Sequence, residues 1–305
     1  MRGWTAIAFA GIGCVQPVAP AAVEPQREPQ NLIDAETYTA RIAGLRATLS
    51  RNNVGIDTQP LIERCSGTRC VRCDVASREN TGGVDPTLID AVALAFAVYP
   101  PSLIAATELR HVALCRTIRI EGDTDEQPPA GVALVDQHRL LISVESFVDG
   151  APQSEHFSIG QVVHHEMFHL FDHATLMDLD REWVAINPPG FAYSDPAAAE
   201  RVRPAGFVNP YATTNAREDR ASVFEFMMGQ PTKLCEIARI DPIVAAKTKL
   251  VWRRIAKVVG NKLLRQHAQC VDDLARMKRK PAPKVAPQRA KGLPRIRTKR
   301  LQMRP

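Results

Sequence analysis

The chain has 305 residues, 45% of them hydrophobic and 24% charged, enough apolar material for one large domain or two small ones that bury a core. Its net charge of +6 is carried by the end of the chain, because residues 276–305 hold twelve Lys or Arg and no acid, so the remainder is net acidic. That distribution, with no aromatic-rich basic module ahead of the tail, argues against a nucleic-acid-binding body.

In chain order, Met1-Arg2-Gly3 is followed by the apolar run Trp4 to Ile12, too short to span a bilayer as a stable helix and patterned as an export signal. The run ends in Gly11-Ile12-Gly13-Cys14, which resembles the lipobox of bacterial lipoproteins, with Gly11 where that pattern usually has Leu. The resemblance implies lipidation of Cys14 and membrane anchoring through that lipid. Residues 15–30, rich in Pro, Ala and Glu, read as a flexible tether. The expected layout is a signal and tether over 1–31, a domain over 32–275, and a disordered, basic, Pro-rich tail over 276–305. The tail suits an anionic membrane or cell-wall polymer, or serves only as a solubilising appendage. The expected location is outside the cytoplasm, either as a bacterial envelope lipoprotein (periplasm or outer membrane) or as a secreted protein.

Apart from Cys14 there are six cysteines, Cys65, Cys70, Cys73, Cys115, Cys235 and Cys270, an even set that can pair fully in an oxidising compartment. The sequence leaves the connectivity open. Cys65, Cys70 and Cys73, in C-x4-C-x2-C spacing, are alternatively three ligands of a second zinc.

Residues 31–51 form an expected amphipathic helix on Leu32, Ile33, Tyr38, Ile42, Leu45 and Leu49. Asp85-Pro86 opens a second helix, which Pro100-Pro101 stops. Strands are expected over 112–120 and 131–148, parts of a mixed sheet with a loop over 121–130 between them. Then Ser158, a good N-cap, opens a helix over 158–173 with Ile159, Val162, Val163, Met167, Leu170 and Phe171 on one face. Within it stands His165-Glu166-Met167-Phe168-His169. Residues four apart on a helix share a face, so His165 and His169 can aim two imidazoles at one zinc ion with Glu166 beside it. The competing reading is a core helix with satisfied histidines and a solvated Glu166.

Catalytic zinc takes three protein ligands and leaves a fourth position open, so a further ligand is required downstream. Asp172 and His173 lie within a turn of His169, a position better suited to supporting a ligand imidazole than to coordination. The glycine and histidine of the metzincin pattern are absent after His169. The segment from Tyr211 to Met227, with Asn215 ahead of Glu218, resembles the metal-binding helix of gluzincins of the anthrax lethal factor type and of exported bacterial zinc-binding metallopeptidases of the lipoprotein kind. This covers about a tenth of the chain.

The resemblance implies an α+β, zincin-like metallopeptidase fold: a small mixed sheet, an HExxH active-site helix and a mostly helical C-terminal half. It also implies Glu218 as third zinc ligand, Tyr211 as the hydroxyl facing the oxyanion, and one catalytic zinc ion. The family often carries an acid one turn after the ligand glutamate, where this chain has Ser222, so support for the ligands falls to Asp172, Asp219 or Glu225. For Glu218 the competing role is a capping-box glutamate reaching back to Asn215, and for Tyr211 a loop aromatic packed on the core. The expected activity is zinc-dependent endopeptidase action on protein or peptide substrates, with Glu166 as general base. The alternative is a non-catalytic, zinc-stabilised envelope lipoprotein that binds or scaffolds.

Overall fold

Asp34 accepts a hydrogen bond from the Thr37 N–H at 2.7 Å and so caps helix α1, Ala35–Ser50. The helix buries Tyr38, Leu45 and Leu49 along one face. In this computed structural model the described residues are 34–66, 69–78, 86–121, 129–144, 158–175, 180–193 and 205–261, with Arg265 and Asp273. The export signal, Cys14, the tether, Cys270 and the basic tail lie outside them.

Six strands make one mixed sheet: β1 Gly55–Ile56, β2 Leu61–Ser66, β3 Arg69–Val75, β4 His111–Glu121, β5 Gly131–Leu134 and β6 Arg139–Ser143. The order is β2-β3-β4-β6-β5, with β1 beside β4. β4 runs parallel to β6 and to β1, and the other neighbours are antiparallel. Among the described residues β5 is therefore an edge strand.

Three features depart from the sequence expectations. Where one strand is expected over 131–148, residues 131–143 form a hairpin of β5 and β6, joined by a 3-10 turn at Val135–Gln137, and 145–148 lie outside the described residues. His138 closes that turn in the left-handed conformation at φ 53°, a place where glycine would have announced the turn. The β2–β3 hairpin is an element the sequence reading lacks, because its inward residues Ile62, Val71, Cys73 and Val75 stand among charged ones. Pro100-Pro101 does stop α2, Pro86–Ala97, but Pro101 also starts α3, Pro101–Thr107, since proline fits the first helical turn.

The sheet is buried on both faces. Val112, Leu114, Leu140 and Ile142 face the helices and join the main core. Alternating with them, Ala113, Cys115 and Leu141 face the other way into a smaller cluster with Ile62, Cys73, Val75 and Ile118. A Cys73–Cys115 disulfide ties β3 to β4 in this smaller cluster, and Cys65–Cys70 ties β2 to β3. Cys235 is disulfide-bonded as well. The three cysteines that could have held a second zinc are thus engaged in disulfides.

Helix α4, Ile159–Thr175, packs on the helix side of the sheet. It is followed by α5 Asp180–Val184, α6 Ala216–Gly229, α7 Pro231–Ile240 and α8 Pro242–Val259. β5 lies hard against α4: a Cβ at Gly131 would meet Val162 Cγ1 at 2.6 Å and Glu166 Cγ at 2.8 Å. Only glycine permits that approach.

Candidate metal centre

Two helices build the site. On α4, His165 and His169 are one turn apart, with ring centroids 4.8 Å from each other. On α6, Asn215 caps the helix by accepting from the N–H groups of Arg217 at 2.9 Å and Glu218 at 3.1 Å. The Glu218 carboxylate, which in a capping box would reach back to the Asn215 N–H, is directed at the histidines. Glu218 Oε2 lies 2.9 Å from His165 Nε2 and 3.3 Å from His169 Nε2.

One donor atom from each of the three residues lies within 4.8 Å of the other two. A tetrahedral zinc site with bonds of ~2.05 Å has ligand–ligand edges of roughly 3.3 Å, so these residues fit a zinc-sized ion. Two imidazole nitrogens and one carboxylate oxygen are also the donor types zinc favours.

Charge points the same way. Burial works against a charged His165, but its hydrogen bonds to Glu218 and Glu225 outweigh it and push its pKa up to about 10. For Glu218, burial raises the carboxyl pKa, and the two histidines more than reverse this, holding it well below the usual carboxylate range. Glu166, buried on the same helix, is raised by burial, with His169 and His165 opposing. Three carboxylates thus converge on two imidazoles, a cluster that favours added positive charge.

The supporting residues sort differently from the sequence expectation. Glu225, fully buried on α6, sits 3.1 Å from His165 Nδ1 through Oε2, while Oε1 accepts from Gln161 Nε2 at 3.1 Å. With an ion bound, that contact would keep the proton on Nδ1 and present Nε2 to the ion. Asp172, in contrast, pairs with the guanidinium of Arg220, with Oδ2 2.6 Å from Nη2 and Oδ1 2.9 Å from Nε, and not with either imidazole among the described hydrogen bonds. Asp172 lies one turn past His169 and Arg220 two residues past Glu218, so their ion pair links the two ligand-bearing helices.

Asp219 also departs from expectation. One residue along a helix is a rotation of 100°, which turns Asp219 away from the histidines. It lies in a closed network where Oδ2 accepts from Lys247 Nζ at 2.6 Å, Trp183 Nε1 at 2.8 Å and the Tyr193 hydroxyl at 2.8 Å. Tyr211, on a 3-10 turn at Tyr211–Thr213, is 49% exposed, with its ring centroid 5.8 Å from that of His165. It borders the site rather than the core. Burial, then Glu218 and Glu166, raise its pKa, so the phenol keeps its proton and remains a donor.

A cleft of about 430 Å³ opens over these groups. Glu166, His169, Glu218 and Tyr211 form its polar wall, and Ile120, Val132 and Val135 its apolar one. Sequence reasoning missed Gln161, Arg220, Lys247 and Arg217. Gln161 carried a readable signal, standing one helical turn before His165 on the same face. The others become visible only when distant elements meet.

No family model and no curated protein matches the sequence. Among solved structures, the chain is similar to a protein of Bacteroides caccae described as a "putative zinc-binding metallo-peptidase". The two share 14% identity with a TM-score of 0.43, over 80% of this chain and 96% of that one.

Proposed function

We propose that the protein is a zinc-dependent endopeptidase of the gluzincin type, with His165, His169 and Glu218 as metal ligands and Glu166 as general base. The observation that carries this reading is the meeting of the Glu218 carboxylate with both imidazoles of the HExxH helix at the bottom of an open cleft. When bound, zinc supplies Lewis acidity that polarises a peptide carbonyl and brings the pKa of water towards neutrality.

The remaining chemistry belongs to the chain. Glu166 accepts a proton from the attacking water; its burial-raised pKa makes it a better base than an exposed carboxylate, and once protonated it can deliver that proton to the leaving amine. Ala133 on β5 hydrogen-bonds the Glu166 carboxylate through its backbone and so steadies it. Tyr211 donates its phenolic proton to the oxygen on which negative charge develops. Glu225 fixes the tautomer of His165.

Export through the N-terminal segment, with anchoring by a lipid on Cys14, completes the proposal and puts the substrates in the envelope or outside the cell. The test compares zinc-loaded wild type with Glu166→Gln on a generic peptide mixture. Retained zinc with hydrolysis lost by at least about a hundredfold in the variant is expected. An equally active Glu166→Gln protein would remove the assignment.

A further inference from the structure

We propose that Arg217 makes one side of the cleft a subsite for a carboxylate on the substrate, close to the bond that is cut. The inference deepens the peptidase reading and rests on it.

The charged side chains that line the cleft are largely accounted for. Glu166 and Glu218 face the histidines, and Asp172 and Arg220 neutralise each other across 2.6 Å. Arg217 is left over. It lines the cleft, is exposed, and forms no ion pair among the described residues. Its backbone is held by the Asn215 cap, and it lines the same cleft as Glu218, the residue after it. His173, exposed at the end of α4, lines the same cleft and adds a second nitrogen donor.

A guanidinium is a planar fork of N–H donors that matches a carboxylate, and an unpaired one at the edge of a partly dry cleft attracts acids and repels bases. The apolar part of the lining, Ile120, Val132 and Val135, offers nothing polar from its side chains to compete for it. The preferred substrate therefore carries a carboxylate near the scissile bond, from an Asp or Glu side chain or from a free C-terminus.

The test uses the zinc-loaded full chain as wild type, Arg217→Gln and Arg217→Glu. Peptide libraries differ at one position at a time, bearing Glu, Gln or Lys, and each is made with a free or an amidated C-terminus. Hydrolysis and, separately, displacement of a fluorescent peptide are both measured. Wild type should favour Glu over Lys at one position by roughly three- to tenfold, mainly in KM and in affinity. Arg217→Gln should level that preference and Arg217→Glu should reverse it.

A preference for the free acid over the amide, with no side-chain preference, identifies the C-terminal carboxylate as the source and also supports the subsite. Equal binding of acidic and basic peptides by wild type together with equal binding of the free-acid and amidated forms, or a preference that survives in Arg217→Glu, overturns it. Because displacement needs no turnover, an inert protein that still selects acids through Arg217 would sink the peptidase reading alone.

Discussion

Replacing Glu225 by Gln changes one atom type at a buried position and should weaken metal binding without dismantling the fold. The carboxylate uses both oxygens, one towards Gln161 Nε2 and one towards His165 Nδ1, each at 3.1 Å. Glutamine has a single acceptor oxygen, so one partner must face an NH2 group. Gln161 cannot relieve this by turning its amide, because its Oε1 already accepts from the Ser158 N–H at 2.9 Å, at the start of α4. One buried donor is therefore left opposed, at about 1–3 kcal/mol. If the loss falls on His165, the ring no longer holds its proton on Nδ1, and zinc affinity should drop by roughly ten- to a hundredfold. Competition with a chromophoric chelator at neutral pH measures this, with thermal melting as the control for folding. A zinc affinity within twofold of wild type in a folded Glu225→Leu protein, which offers His165 Nδ1 no acceptor at all, would refute the idea that Glu225 orients the ligand.

Other consequences follow from the same geometry. Asp172→Asn should release Arg220 from its ion pair and loosen α4 against α6, lowering both zinc affinity and melting temperature; a change in melting temperature alone would show that the pair does not position the ligands. Lys247→Met leaves Asp219 buried with its cation gone and should cost about 3–5 kcal/mol in denaturant unfolding, with partial recovery in the Lys247→Met, Asp219→Leu double variant. Removing the Cys73–Cys115 disulfide, which spans 42 residues, should cost about 4 kcal/mol by the loop-entropy model, seen as a lower denaturant midpoint in Cys73→Ala, Cys115→Ala protein. The zinc-free protein should lose stability on the alkaline side. His165 is raised from 6.5 to about 10, so its contribution is complete below pH 6.5 and fades as pH rises towards 10. His165→Asn should flatten that part of the profile, and an unchanged slope would contradict it.

The parts of this molecule that could be read beforehand are those where local chemistry and periodicity agree. Ser158 before α4 and Asn215 before α6 both cap by side chain, and the apolar spacing of α4 already set His165 and His169 on one face. What stayed hidden depends on long-range pairing. In the β2–β3 hairpin, Cys73 and Val75 are buried while Arg72 beside them is bound by Glu63 and Glu121, so the strand looked polar. Glu218 and Asp219 are adjacent acids in one first turn, and only the positions of Lys247 and Trp183 decide that the second serves the core instead of the ion. Of the three acids open for ligand support, Asp172 is settled in the same way, by Arg220 arriving from 48 residues away.

The proposed chemistry depends on a divalent ion held by side chains from two helices. Zinc-edge anomalous diffraction on crystals of the zinc-loaded protein locates that ion. A single strong peak is expected within about 2.0–2.2 Å of His165 Nε2, His169 Nε2 and a Glu218 oxygen, with Glu166 nearby but not bound. A peak elsewhere, or one ligated by four protein side chains that include Glu166, would contradict it.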